Sequence, residues 1–195
     1  MGMKPEDVER GTKCFGPETN GYPGGYPKGF LKWIRDLGYW GDVRLHVPCG
    51  MVADSDPGEV VRVDVKMPPE TNATHSFDAT DMKAWPDEWK EYFDLVLIDK
   101  PYTEALAESL YDTKDVYAGL DKWVACAKYS VKPGGLLATL DYQIPKNPSS
   151  PGDDWNLIAC WGIYTAMSVR HMMCFQVWQR EGERDQGAGL MRWME

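Results

Sequence analysis

Residues 94–102 combine an apolar run with an acid, a proline and an aromatic ring, and these residue types suit a ligand site at the end of a strand. Residues 96–98 form the unbroken apolar run that is typical of a strand covered on both faces. Pro101 ends this run where Asp99 and Tyr102 follow. In an open α/β sheet, ligands bind at this end of a strand. A carboxylate can accept hydrogen bonds there and a ring can stack on another ring, so the segment predicts an active site.

The four residues Asp99-Lys100-Pro101-Tyr102 resemble the motif Asp/Asn/Ser-Pro-Pro-Tyr/Phe/Trp of amino-methyltransferases that depend on S-adenosylmethionine (SAM) and methylate exocyclic amines of nucleobases. The resemblance implies that the Asp99 side chain and the Lys100 carbonyl accept the two N–H groups of the amine. It implies that Pro101 holds both acceptors in place and that Tyr102 stacks on the target base. This transfer needs no metal.

Lys100 departs from the motif, since it replaces the first proline. An ammonium near a sulfonium is unfavourable, so the side chain is expected to point away from SAM, toward a substrate phosphate or a nearby acid. Alternatively, the lysine marks a different substrate or a site that has lost activity.

The expected cofactor turn is Pro48-Cys49-Gly50, after a strand at 43–47, and it is similar to the family's Asp-Pro-Phe/Cys-x-Gly-x-Gly turn. Gly50 would let the backbone approach SAM. The sequence departs from the family at Val47, where aspartate is common, and at 51–52, which replace the later glycine. A strand-to-helix turn without a ligand is the alternative.

Five further residues are expected at the cofactor by the same resemblance. Asp64 ends the second strand, where an acid accepts hydrogen bonds from ribose hydroxyls, although a solvated strand-end acid is an equal alternative. Asp78 and Ala79 match the position that contacts adenine. Tyr26 and Pro27 match the loop over the methionine moiety, with a flexible N-terminal arm as the alternative.

Strands that alternate with helices predict an α/β fold with a mostly parallel central sheet flanked by helices, and the resemblance makes it a Rossmann-like class I methyltransferase fold. Strands are expected at 43–47, 60–65, 76–80, 94–98, 136–140 and 171–179. Helices are expected at 30–37, 116–129 and 155–168, and loops at 11–29, 103–115 and 143–154.

The chain of 195 residues suits one domain, 1–195, with a loop-rich arm at 1–29 and a tail at 181–195 that either adds a strand at 190–193 or is mobile. No apolar run approaches the roughly 20 residues of a membrane helix, so no membrane partner is expected. No signal peptide is visible, so a cytoplasmic location is expected.

Composition also limits the classes of site and partner. The five cysteines are scattered without a Cys-x-x-Cys pair, which argues against disulfide frameworks and zinc sites. The net charge of −9 argues against a protein whose whole surface binds a phosphate backbone by electrostatic attraction. Residues 43–100 hold six bases and twelve acids, so most of the acid excess lies in the expected cofactor half. A local basic path remains open as an alternative to ordinary surface charge: Lys4, Arg10, Lys13, Lys28, Lys32 and Arg35.

The favoured hypothesis is an enzyme of microbial or viral type that transfers a methyl group from SAM to a nucleobase amine, with adenine N6 in DNA as the acceptor. Nucleic acid is then the partner, and DNA is favoured over RNA. The alternatives are an RNA, nucleotide or protein amine or amide acceptor, and a catalytically inactive methyltransferase-like binding protein. The apolar stretch 158–177 indicates either a deep core or a homodimer face.

Overall fold

The computed structural model describes residues 7–16, 26–111, 117–165 and 172–182. In the described residues the strands are β1 Glu9–Phe15, β2 Val43–Val47, β3 Glu59–Asp64, β4 His75–Ser76, β5 Phe93–Ile98, β6 Val131–Asp141, β7 Trp155–Thr165 and β8 Met173–Arg180. The helices are α1 Phe30–Asp36, α2 Glu104–Tyr111 and α3 Leu120–Ala127.

The eight strands form one mixed sheet in the order β1-β7-β8-β6-β5-β2-β3-β4. Five of the seven pairings are parallel, and only β8 runs against its neighbours β6 and β7. The chain moves outward from β2 to β3 and β4, and then returns to the other side of β2 as β5. The strand order therefore reverses between β2 and β5, and such a reversal opens a crevice at the carboxyl edge of an α/β sheet. The predicted α/β fold is confirmed in part, because most pairings are parallel but the sheet is mixed and the described residues contain only three α-helices.

Apolar side chains cover both faces of the central strands. In β5, Val96 and Ile98 belong to a core cluster that includes Trp123 of α3. Leu95 and Leu97 belong to a second cluster on the other face, which includes Phe30 of α1. Because successive side chains of a strand point to opposite faces, an unbroken apolar run is what this doubly covered position requires.

The predicted helix at 155–168 is wrong, because Trp155–Thr165 is the strand β7. Its most buried positions are Trp155, Ala159 and Ile163, which recur every four residues. A spacing of four fits one face of a helix, but it is also a multiple of the two-residue repeat of a strand. Pairing with β1 on one side and β8 on the other satisfies the backbone of β7 as a strand.

The predicted loop at 11–29 is wrong in its first part, because residues 11–15 belong to β1. This edge strand is exposed at every position except Phe15, so it has no buried face. Without a buried face, a strand shows no alternation of apolar and polar residues in its sequence. Residues 17–25 of the expected loop lie outside the described residues.

Several predicted boundaries shift by a few residues. The segment expected as a loop at 103–115 contains α2, and the helix expected at 116–129 is the shorter α3. The third strand is reduced to the two residues of β4. In β6 the pairing with β5 skips from Val131 to Leu136, so residues 132–135 bulge out of the ladder. Residues 183–195 of the expected tail lie outside the described residues.

Among the helices of the described residues, none is long and apolar enough to cross a membrane.

Candidate active site

A cavity opens at the carboxyl edge of the sheet, at the reversal of strand order between β2 and β5. The empty space in it is about 670 Å³ when its open mouth is included. Residues that follow β2, β3, β4 and β5 line it, together with Ala107 of α2 and residues 117–123 near the start of α3. Three carboxylates, those of Asp64, Asp78 and Asp99, face an otherwise largely apolar wall. Such a lining favours a ligand with apolar rings and positive charge.

Asp99 lies where β5 ends, and Tyr102 holds its carboxylate. The Tyr102 hydroxyl donates a hydrogen bond of 2.9 Å to Oδ1 of Asp99, which leaves Oδ2 to accept from a ligand. Burial raises the pKa of Asp99 to about 7, with the Asp141 carboxylate acting in the same direction. The hydrogen bond from Tyr102 and the charge of Lys100 oppose that rise. Asp99 therefore changes protonation near neutral pH, which suits a group that accepts protons.

Lys100 is among the residues that line the cavity, but its ammonium is enclosed by the protein. Its side chain has no exposed surface, and Nζ lies 2.9 Å from Oδ2 of Asp141, whose side chain is also fully buried. Nζ also donates to the Pro101 carbonyl at 3.1 Å and lies 5.2 Å from the centre of the Tyr117 ring. Of the two directions expected for this side chain, the structure places it toward a nearby acid.

The turn after β2 and the acid that ends β3 are joined by a hydrogen bond. The Gly50 amide donates to Oδ2 of Asp64 at 3.0 Å, and the Lys66 amide donates to Oδ1 at 3.3 Å. Each carboxylate oxygen still has a lone pair for a ligand hydroxyl. Asp78 and Ala79 line the cavity beyond, where Asp78 Oδ1 accepts from the Thr80 amide and hydroxyl. A nucleoside fits this lining, since its hydroxyls would meet acids and its base would meet apolar side chains.

On the expectation that the cavity holds SAM, Gly50→Ala should weaken SAM binding at least about tenfold. Gly50 has a φ of 49° and lines the cavity, so a side chain there is strained and also narrows the site. Left-handed backbone costs a non-glycine residue about 1–2 kcal/mol. Calorimetric titration with SAM measures the effect. Gly38→Ala is the matched control, since Gly38 has a φ of 81° at the end of α1 with open space around it. Equal losses in both variants would assign the effect to backbone strain alone.

Three residues expected at the cofactor do not line the cavity. Cys49 is fully buried, and its Sγ donates to the Gly50 carbonyl. Tyr26 is buried against Phe30 with its hydroxyl 3.4 Å from Nδ1 of His46. The Pro27 carbonyl accepts from the Phe30 amide at the start of α1. In the described residues their contacts build the core and the first helix, and their place at the cofactor stays a prediction.

A buried polar cluster supports β2 from the face opposite α3. Arg44 donates to both carboxylate oxygens of Asp54, at 2.8 and 3.2 Å, and Nε2 of His46 lies 3.0 Å from Oδ2 of Asp54. All three side chains are nearly inaccessible. Burial would raise the pKa of Asp54, but hydrogen bonds from His46 and Arg44 and their charges lower it below its usual value. The cluster ties residues 54–57 to β2, the strand that leads into the turn at Gly50.

Sequence reasoning missed two residues next to the site, Asp141 and Tyr117. Asp141 is signalled by the same pattern as Asp99, since it is an acid that directly follows an apolar strand. β5 and β6 are parallel neighbours, so their final acids meet at one edge of the sheet. Tyr117 follows an undescribed segment and carries no comparable signal in the sequence.

The expected basic path is partly neutralised. Lys32 forms an ion pair with Asp36, and Arg35 with Asp56. Arg10 and Lys13 lie on the exposed strand β1, Lys28 is exposed, and Lys4 lies outside the described residues. The described residues therefore present a reduced basic surface to a phosphate backbone.

Among the described residues, no cluster of three or more histidine, cysteine or acidic side chains could hold a metal ion.

Comparisons with known proteins give matches among solved structures alone. No family model matches the sequence, and no curated protein matches it. A proposed methylase of Haemophilus influenzae superposes with a TM-score of 0.42 at 13% identity, over 79% of this chain and 87% of that one. A possible exported protein of Bordetella parapertussis gives the same TM-score at 15% identity, over 79% of this chain and 66% of that one. Neither similarity identifies an activity, so the geometry of the cavity has to carry the functional argument.

Proposed function

We propose that the protein is a SAM-dependent methyltransferase that acts on the exocyclic amine of a nucleobase, with adenine N6 in DNA as the acceptor. One observation carries the proposal. The turn at Gly50 and the acid Asp64 share a single cavity with the strand end at Asp99, at the reversal of strand order. A cationic nucleoside and a hydrogen-bond acceptor for an amine can therefore meet in one place. Gly50, Asp64, Asp78 and Ala79 are the residues that would hold the cofactor.

The reaction needs an amine nitrogen with an available lone pair, and the end of β5 can provide the acceptors. The cofactor, when bound, supplies an electrophilic methyl group. Asp99 Oδ2 and the Lys100 carbonyl would accept the two N–H groups, which draws the nitrogen lone pair out of conjugation with the ring. Tyr102 keeps Asp99 oriented through Oδ1, and Pro101 limits the backbone freedom between them. After transfer, Asp99 can take the proton that the nitrogen loses.

An aromatic surface for the acceptor ring lies beside these groups. The rings of Tyr102 and Tyr142 are 4.5 Å apart between centroids and inclined by 52°. The Tyr102 hydroxyl is engaged by Asp99, whereas 43% of Tyr142 is exposed. A base would lie against this pair, and stacking on an aromatic side chain is worth about 1–3 kcal/mol per base. A target in duplex DNA must first be flipped out of the helix.

The direct test is transfer of a labelled methyl group from SAM to unmethylated DNA by the purified protein. We expect label in N6-methyladenine after digestion of the DNA. RNA, free nucleotides and protein serve as parallel acceptors in the same assay. No label in any acceptor, together with no SAM binding at about 1 mM by calorimetry, would favour a binding protein without activity over the enzyme.

A second candidate acceptor is a free nucleotide or a protein amide. The net charge of −9, the acid-lined cavity and the partly neutralised basic path all disfavour a long polyanion. If one of these acceptors is labelled at a rate at least tenfold above that of DNA, that acceptor is the substrate instead of DNA, and the proposed methyl transfer from SAM still holds.

Activity is expected to rise with pH and to level off above a midpoint near 7. The carboxylate form of Asp99 accepts hydrogen bonds, and the pKa of Asp99 is raised to about 7 by burial and by Asp141. Below the midpoint the protonated acid predominates, so the rate should fall about tenfold per pH unit. Initial rates between pH 5.5 and 9 measure the profile. Tyr102→Phe removes a hydrogen bond that lowers this pKa, so the midpoint should move upward; a midpoint near 4 would contradict the assignment.

A further inference from the structure

The ion pair between Lys100 and Asp141 is fully enclosed at the back of the cavity. Neither side chain has exposed surface, and their charged atoms are 2.9 Å apart. The Pro101 carbonyl and the Tyr117 ring complete the surroundings of the ammonium. On the other side, Oδ1 of Asp141 accepts from the Gln143 amide at 2.9 Å. Each charged group is therefore held in one position.

Stability alone does not explain this pair. Removing two charges from water is costly, and apolar residues of similar size often stabilise a protein as well as a buried ion pair or better. The position does suggest a reason, because Lys100 lines the cavity directly after Asp99. An uncompensated ammonium there would repel a cationic ligand and would attract the Asp99 carboxylate away from an acceptor amine.

We infer that Asp141 is a positioning residue that holds and neutralises the Lys100 ammonium, so that the cavity retains its preference for a sulfonium. The inference rests on the proposed use of SAM. Four carboxylates and the Lys100 ammonium lie in and beside the cavity, which gives a net charge of −3 there. The four carboxylates are those of Asp64, Asp78, Asp99 and Asp141. Asp141→Asn leaves two, and Lys100→Met leaves four. The double variant, with three acids and no ammonium, has the same net charge as the natural protein.

The experiment compares two ligands that differ in the positive charge on their sulfur atom. SAM carries a sulfonium, whereas S-adenosylhomocysteine carries a neutral thioether and lacks only the methyl group. Calorimetric titrations of both ligands at pH 7.5 give a ratio of dissociation constants for each protein. A unit charge within about 10 Å changes an affinity about tenfold at an effective dielectric constant of about 20. We expect Asp141→Asn to weaken SAM binding about tenfold relative to S-adenosylhomocysteine. We expect Lys100→Met to strengthen SAM binding relative to S-adenosylhomocysteine.

The double variant Lys100→Met/Asp141→Asn should restore the natural ratio, which a purely structural role of the pair does not predict. Structural damage would weaken both ligands equally and leave the ratio unchanged in every variant, and that result would overturn the inference. Circular dichroism verifies that each variant folds. If one of the two single variants does not fold, the direction in which the other shifts the ratio of dissociation constants decides whether the inference holds. Failure of the natural protein to bind either ligand at about 1 mM would instead reject the proposed function.

Discussion

Asp99→Ala is expected to reduce methyl transfer by about 10²–10³-fold, the usual cost of losing one well-placed polar group that acts in the transition state. The carboxylate is the acceptor at the end of β5, and the Tyr102 hydroxyl holds it through a hydrogen bond. SAM binding should change far less than the rate, because Asp64 and the Gly50 turn remain.

The same variant should not lose stability. Burial raises the pKa of Asp99 above its usual value, so the folded protein holds the proton more tightly than the unfolded chain. Ionised Asp99 therefore costs stability at neutral pH, and its removal should leave the thermal midpoint unchanged or raise it. Asp36→Ala is the control, since Asp36 is an exposed acid at the end of α1 that pairs with Lys32. Full activity of Asp99→Ala would remove Asp99 from the mechanism.

Asp54→Ala is expected to destabilise the fold by about 3–5 kcal/mol, because it leaves the buried Arg44 without its carboxylate. His46 loses its hydrogen-bond partner as well. For a chain of this length such a loss lowers the thermal midpoint by roughly 6–20 °C. Chemical denaturation measures the free energy of unfolding directly.

Asp56→Ala is the matched control in the same loop. The side chain of Asp56 pairs with Arg35, and both are partly exposed, so its loss should cost less than about 1 kcal/mol.

The pH dependence of the stability gives a second check on the role of Asp54. The pKa of Asp54 is lowered in the folded state, so its stabilising effect is full above about pH 4 and declines as the pH falls below that value. The difference between the natural protein and Asp54→Ala should shrink over the same range; a difference independent of pH would contradict the role of the charge.

The central strands and their order along the chain could be predicted from the sequence. The strand β2 begins and ends where the pattern predicts, and β3 and β5 differ by one residue. These strands are buried on both faces, so a continuous apolar run bounded by turn residues marks them clearly. The same property located Asp99, since an acid directly after such a run must lie at a sheet edge.

The α/β class, the central strands and the acid–proline–aromatic ending follow from the amino-acid sequence alone, because a strand buried on both faces requires a run of consecutive apolar residues. Tertiary structure alone decided that Trp155–Thr165 is a strand, since a four-residue spacing of buried positions fits helix and strand equally until partners are in place. It also decided the partner of Lys100. Asp141 is 41 residues away in the chain, and only the parallel pairing of β5 with β6 brings the two charges together. A pairing between distant residues depends on strand order and register, which no local pattern contains.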